Sequence, residues 1–138
     1  MKRFLSLICV AAMVLSMLPA SVFAAEVRTI YWDPVAGADS NSGRAENAPV
    51  KTKEAAYAAL SGADEGILVL LSTLKLTALT NFPTCNIPVT ITSKTGSEGI
   101  KSSKSIFFGG DTTLDNMTLT LSVASTTTYI SSEGHDLT

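Results

Sequence analysis

The sequence predicts an all-β domain that begins a β-solenoid, and three observations predict it. In residues 112–123 (TTLDNMTLTLSV), Met117, Leu119, Leu121 and Val123 alternate with Thr118, Thr120 and Ser122, the period-two pattern of a strand with one buried face. Residues 87–93 (IPVTITS) repeat that phrase with Ile87, Val89 and Ile91 on one face, and residues 67–72 (ILVLLS) give a more apolar version. From Val69 to Ile91 is 22 residues and from Ile91 to Leu119 is 28, close to the roughly 20 to 30 that one solenoid coil consumes. Composition agrees: from Ser72 onward 25 of 67 residues are Ser or Thr, which suits exposed strand faces and disfavours helix. The expectation is parallel coils that hide Val69, Ile91 and Leu119 in one interior column.

The start of the chain reads as a leader. Met1, Lys2 and Arg3 form a positive n-region, residues 4–18 are almost unbroken apolar sequence, Pro19 ends the run, and Val22-Phe23-Ala24 offers small residues where a signal peptidase cuts. The apolar run falls short of the roughly 20 residues a spanning helix needs. Cleavage near Ala24 is therefore expected, with a secreted or cell-surface destination, no membrane attachment afterwards and no lipid anchor at Cys9. Residues 1–24 are read as signal peptide, 25–66 as an amino-terminal strand, loop and capping helix, and 67–138 as the first coils.

Removing residues 1–24 takes away Lys2 and Arg3 and no acid, which leaves eight basic residues against twelve acids and a formal charge of −4. A mildly acidic, mixed-sign surface argues against nucleic acid and anionic membrane as partners. Only Cys85 survives cleavage, so no disulfide forms within the mature chain and stability rests on ladders and core burial.

In chain order, residues 27–32 (VRTIYW) predict a short strand ended by Asp33-Pro34. Residues 35–49, dense in Gly, Asp, Asn and Ser, predict a structured loop. A helix follows over residues 52–60, with Thr52 as cap, Glu54 in its first turn, Ala56 and Leu60 on one face beside Tyr57, and Gly62 able to close it. Further strands are expected over 67–72, 74–79, 87–93, 105–108, 112–123 and 127–130. Pro83, Pro88, Gly96, Gly99 and Gly109-Gly110 punctuate them.

Residues Tyr31, Trp32, Asp33, Pro34, Gly37, Asp39, Ser40, Asn41, Ser42, Gly43, Pro49, Lys51 and Thr52 form an aromatic strand, a DP-x-x-G-x-DSNSG loop and a Pro before a Lys-Thr pair. That opening resembles those of secreted right-handed parallel β-helix proteins of the pectin-lyase-like superfamily, and Gly109 to Thr120 (GGDTTLDNMTLT) is similar to coil sequence of bacterial surface members. The resemblance implies an exported right-handed parallel β-helix (solenoid) whose amino-terminal cap is the short helix. A solenoid needs a cap at each end. No second cap follows Ile130, so the chain reads as the first part of a longer protein.

Candidate chemistry is sparse. One His and one Cys in the mature part leave a zinc site short of ligands unless carboxylates supply nearly all of them. A Cys85–His135 nucleophile pair lacks anything to bring the two together, no G-x-S-x-G elbow occurs, and Gly109-Gly110-Asp111 is too acidic and short for a phosphate loop. No catalytic residue is assigned. Asp33, Asp39 and Asn41, with Ser40, gather hard oxygens in one loop and are the candidate calcium ligands, although such residues also bond their own backbone in turns. The resemblance to pectate lyases draws Asp111 and Asp115 together as paired acids, but the nearest bases, Lys101 and Lys104, read as solvated turn charges. Asn116-Met117-Thr118 matches a glycosylation acceptor, which in a bacterial protein is only strand sequence.

The expected role is structural or carbohydrate-associated, with polysaccharide or cell-wall glycan as partner. Two rivals follow: the amino-terminal part of a polysaccharide lyase or glycoside hydrolase whose catalytic coils lie beyond Thr138, or a β-sandwich adhesion module with antiparallel strands.

Overall fold

The computed structural model describes residues 24–122, 130–132, 137 and 138. The leader up to Phe23, Val123, His135 and the start of the strand expected at 127–130 lie outside the described residues.

The first strand, β1 (Val27–Trp32), is followed by the loop and by helix α1 (Lys53–Ala58). Then come β2 (Glu65–Leu70), β3 (Leu74–Leu76), β4 (Thr80–Asn81), β5 (Val89–Ser93), β6 (Gly99–Ser102), β7 (Ile106–Phe107), β8 (Thr112–Asp115), β9 (Thr118–Leu121) and β10 (Ile130–Ser131). They form three sheets: A, in the order β1-β2-β5-β8; B, β3-β6-β9; and C, β4-β7-β10. Every ladder is parallel. From β2 onward the chain visits A, B and C in turn, three times over. The domain is thus all-β with parallel sheets, and the antiparallel pairing of a sandwich does not occur among the described residues.

Register sets the core. On sheet A, Leu68 lies opposite Ile30 and Ile91, and Ile91 opposite Leu114, so one inward column runs Ile30, Leu68, Ile91, Leu114. On sheet B the inward column is Leu74, Ile100, Leu119. The expected column of Val69, Ile91 and Leu119 is therefore wrong. Val69 stands opposite Tyr31 and Thr92 on the half-buried outer face, one residue out of phase, and Leu119 belongs to a different sheet. A single-residue offset turns a strand side chain to the other face.

The error has a local cause. Within the stretch expected as one strand, the described residues make two, β8 and β9, on different sheets, with a corner at Asn116 and Met117. Asn116 takes φ 44°, the left-handed conformation that Asn tolerates better than most residues. Measured register to register, sheet A repeats every 23 residues, from Gly66 to Val89 and from Val89 to Thr112. The interval of 22 from Val69 to Ile91 was one residue out of phase within sheet A, and the interval of 28 from Ile91 to Leu119 joined two sheets.

Inside sheet C, Phe82 and Phe108 stack with ring centroids 4.7 Å apart, close to the spacing of neighbouring strands. Trp32 meets Phe82 edge-on at 6.4 Å. These rings fill the interior between the sheets and sit below one-twentieth exposure.

The amino-terminal cap closes β1. Tyr31 N–H donates to Gly43 O, Val50 N–H donates to Tyr31 O and Asp33 N–H donates to Val50 O, so the edge of the first strand is occupied. Thr52 Oγ1 accepts from Ala55 N–H at 3.2 Å and starts α1, which buries Ala56 and Tyr57. Leu60 then seats on β2 where Gly66 has no side chain: a Cβ there would meet Leu60 Cδ1 at 2.5 Å.

Ile91→Ala should cost about 2–5 kcal/mol in urea unfolding, because it empties a fully buried column. The outward Thr90→Ala should stay within about 0.5 kcal/mol. Equal losses would contradict the register.

Candidate functional site

A groove of about 400 Å³ lies between the cap and sheet B. Its walls are the start of α1 with Lys51 and Lys53 on one side and β3 with Thr73 and Lys75 on the other. Trp32 contributes to the lining yet is only 1% exposed, and Val35 stands at the rim. The rim is rigidly held. Asp39 Oδ1 accepts from Lys51 N–H at 2.9 Å and Thr52 N–H at 2.8 Å, Asp39 Oδ2 accepts from Thr52 Oγ1 at 2.9 Å, and Trp32 Nε1 donates to Lys51 O at 2.9 Å. Lys51 is thus fixed through both its backbone groups while its side chain stays in solvent.

Lys75 in β3 lies in register with Lys101 in β6, and both are exposed. The expectation that Lys101 sits in a polar turn is corrected here: it is the outward residue of a central strand. Among the described residues the ion pairs are Arg28–Glu26, Lys53–Glu54 and Lys94–Glu46. Lys51, Lys75 and Lys101 take part in none of them. Sequence reasoning passed over this basic row. Its signal was the 26-residue interval from Lys75 to Lys101, which falls within one coil length.

The candidate calcium residues share one loop, and each is turned to partners of its own. Asp33 Oδ1 accepts from Val35 N–H at 2.9 Å, Ala36 N–H at 3.0 Å and Ser72 Oγ at 2.6 Å. Asn41 Nδ2 donates to Pro49 O at 2.8 Å. With Asp39 committed to the helix start, a cation here would compete with N–H donors for the same carboxylate oxygens. No group of three or more His, Cys, Asp or Glu able to hold a metal occurs among the described residues.

Asp111 precedes β8 and Asp115 ends it, so both belong to sheet A, whereas Lys101 belongs to sheet B. Acids and base do not share a face. Cys85 is half-buried in a second, smaller cleft with Thr84 and Tyr57. Tyr57 Oη is buried with no hydrogen-bond partner among the described residues, while the nearby Thr112 hydroxyl gives its proton to Gly110 O at 3.0 Å. Burial, then the neighbouring Cys85, push the Tyr57 phenol far above its ordinary value against an opposing pull from Thr112, so it stays protonated.

Burial pushes the Asp33 carboxyl up, but the bonds from Ser72, Ala36 and Val35 outweigh it and hold the group below its ordinary 3.8. Asp39 is also held below 3.8, chiefly by Thr52 N–H, with Lys51 N–H, the Thr52 hydroxyl and the Lys51 charge adding to it against desolvation. A carboxyl whose folded-state pKa is depressed contributes stability above its unfolded pKa and loses it as pH falls through the folded value. The melting temperature should therefore drop below pH 3.8, and Asp39→Ala should lower it at neutral pH and flatten the acid dependence. An unchanged slope would contradict the role given to Asp39. Tyr57→Phe should raise stability by about 1 kcal/mol in urea unfolding by removing an unpaired buried hydroxyl, and a loss of that size would contradict the absence of a partner. Comparison of the chain with protein families, with curated proteins and with solved structures finds no match.

Proposed function

We propose that this chain is the amino-terminal cap and first coils of an exported, extracellular or cell-surface right-handed parallel β-helix with a structural or carbohydrate-associated role. The observation that carries the reading is the fixed A, B, C order of parallel sheets through three successive rounds. Right-handedness follows from the general rule for parallel crossovers. Export rests on the leader pattern of residues 1–24.

The carbohydrate association rests on surface chemistry. Stacked rounds set equivalent residues side by side at about 4.8 Å, so that Thr29, Ile67, Thr90 and Thr113 form a continuous outer row. Such flat hydroxyl-bearing rows, with an open groove at the cap, suit a polymer that lies along the surface. The separation of Asp111 and Asp115 from Lys101 speaks against a lyase site built from these residues; a lyase or hydrolase whose catalytic coils lie beyond Thr138 is the second reading, on the resemblance alone.

The test is cosedimentation of the purified chain with insoluble polysaccharides and with cell-wall preparations. Retention of the folded chain, competed by soluble fragments of the same glycan, is expected. Recovery entirely in the supernatant across neutral and charged polysaccharides alike would sink the carbohydrate role.

A further inference from the structure

We propose that the groove between the cap and sheet B is a binding site for an anionic polysaccharide, held by the ammonium groups of Lys51, Lys75 and Lys101. This rests on the glycan-associated reading above and names the class of glycan.

The argument begins with charge. The chain is acidic overall, at −2, yet four lysines (51, 53, 75 and 101) collect around one groove and the strand beside it. Glu54, the acid of the groove lining, is taken by Lys53. Lys75 and Lys101 therefore form a row across β3 and β6 outside the ion pairs found among the described residues, Thr120 of β9 continues it with a hydroxyl, and Lys51, which has Asp39 nearby, adds its charge at the cap side of the groove.

The row costs stability. Like charges directly opposite on neighbouring strands repel, and Lys75 and Lys101 are in register. A lysine on an edge strand has a bland explanation, because it discourages strand-to-strand aggregation, and β3 is an edge strand. That explanation does not reach Lys101, which sits on β6, already paired on both sides. A local rule broken without structural gain points to a functional site. The backbone of Lys51, held by Asp39 and by Trp32 Nε1, anchors a further charge at the groove, so that only its side chain is ordered on binding.

The other polyanion is single-stranded nucleic acid, which binds by stacking bases on aromatic side chains. Trp32 is 1% exposed, and the large hydrophobic residues exposed among those described are Val27, Val35, Leu79 and Leu137, none of them aromatic. Trp32 is the aromatic residue of the groove lining and it is buried, so the groove offers charge and hydroxyls without a stacking platform, which favours a carboxylated or sulfated glycan.

The experiment measures binding of the full mature chain to dextran sulfate, neutral dextran and oligothymidylate over a series of salt concentrations. Dextran sulfate should bind with an affinity that falls as salt rises, and neutral dextran should bind at least tenfold more weakly. Lys75→Gln with Lys101→Gln should weaken dextran sulfate binding about tenfold, the worth of two exposed ion pairs, and reduce the salt slope. Lys75→Arg with Lys101→Arg should keep it, and Lys94→Gln, away from the groove, should change it less than twofold. The Gln variants should melt at or above the parent temperature because repulsion is relieved, so a binding loss is not unfolding. An equal loss in Lys94→Gln, or no loss in the double Gln variant, overturns the site. Neutral dextran bound as tightly overturns the anionic class and leaves the glycan reading standing. Oligothymidylate bound as tightly as dextran sulfate overturns the choice of glycan, and no binding to either dextran or dextran sulfate overturns this inference while cosedimentation judges the wider reading.

Discussion

Parallel pairing makes the inner strands β2, β5, β6 and β7 depend on the strand one round earlier and one round later. A hairpin can satisfy its backbone locally, but β5 cannot: its N–H and C=O groups are filled by β2 on one side and β8 on the other. The requirement fixes the interval between equivalent residues, and sheet A keeps it at 23 in both of its later steps. Sheet B is looser, with 26 residues from Leu74 to Ile100 and 19 from Ile100 to Leu119. The turns between sheets absorb that difference, and Asn116 shows how: a left-handed residue bends the chain from sheet A to sheet B within the two-residue corner it makes with Met117. Where register holds, like side chains stack, and the interior fills with Ile30, Leu68, Ile91 and the Phe82–Phe108 pair.

The same dependence explains the cap and, through it, the groove. Among the described residues no earlier round pairs with the first strand, and loop backbone from Gly43 and Val50 takes the place of one. Asp33 and Asp39 hold that loop. Asp33 ties it to Ser72 at the end of the first round, and Asp39 anchors the residues that begin α1. The residues that read as hard oxygen ligands are thus employed in folding the cap, and their work leaves Lys51 standing at the groove edge.

Much of this was legible beforehand, and the failures share a cause. The strand at Val27–Trp32, the Thr52 cap and the buried face of α1 follow from local chemistry: a Pro stop, a hydroxyl acceptor, helical spacing of Ala56 and Leu60. The inward turn of Val89 and Ile91 follows from alternation. What alternation cannot show is a corner. Leu114 and Leu119 are both apolar, yet the chain leaves one sheet and enters another between them, and the bend at Asn116 keeps both inside. The short strands β4 and β6 escaped because Thr80–Asn81 is two residues long and Gly99–Ser102 begins with Gly, which reads as a turn. The lysine row was invisible for a related reason: Lys75 and Lys101 are neighbours only in register, and register across rounds is not a local property.

The β-helix reading and the groove drawn from it stand on the alignment of rounds, and methyl–methyl nuclear Overhauser contacts report that alignment directly. With Leu, Ile and Val methyls labelled, the account predicts cross-peaks for Leu68–Ile91, Ile91–Leu114, Leu74–Ile100 and Ile100–Leu119. Cross-peaks joining Val69 to Ile91 and Ile91 to Leu119 in their place would contradict it.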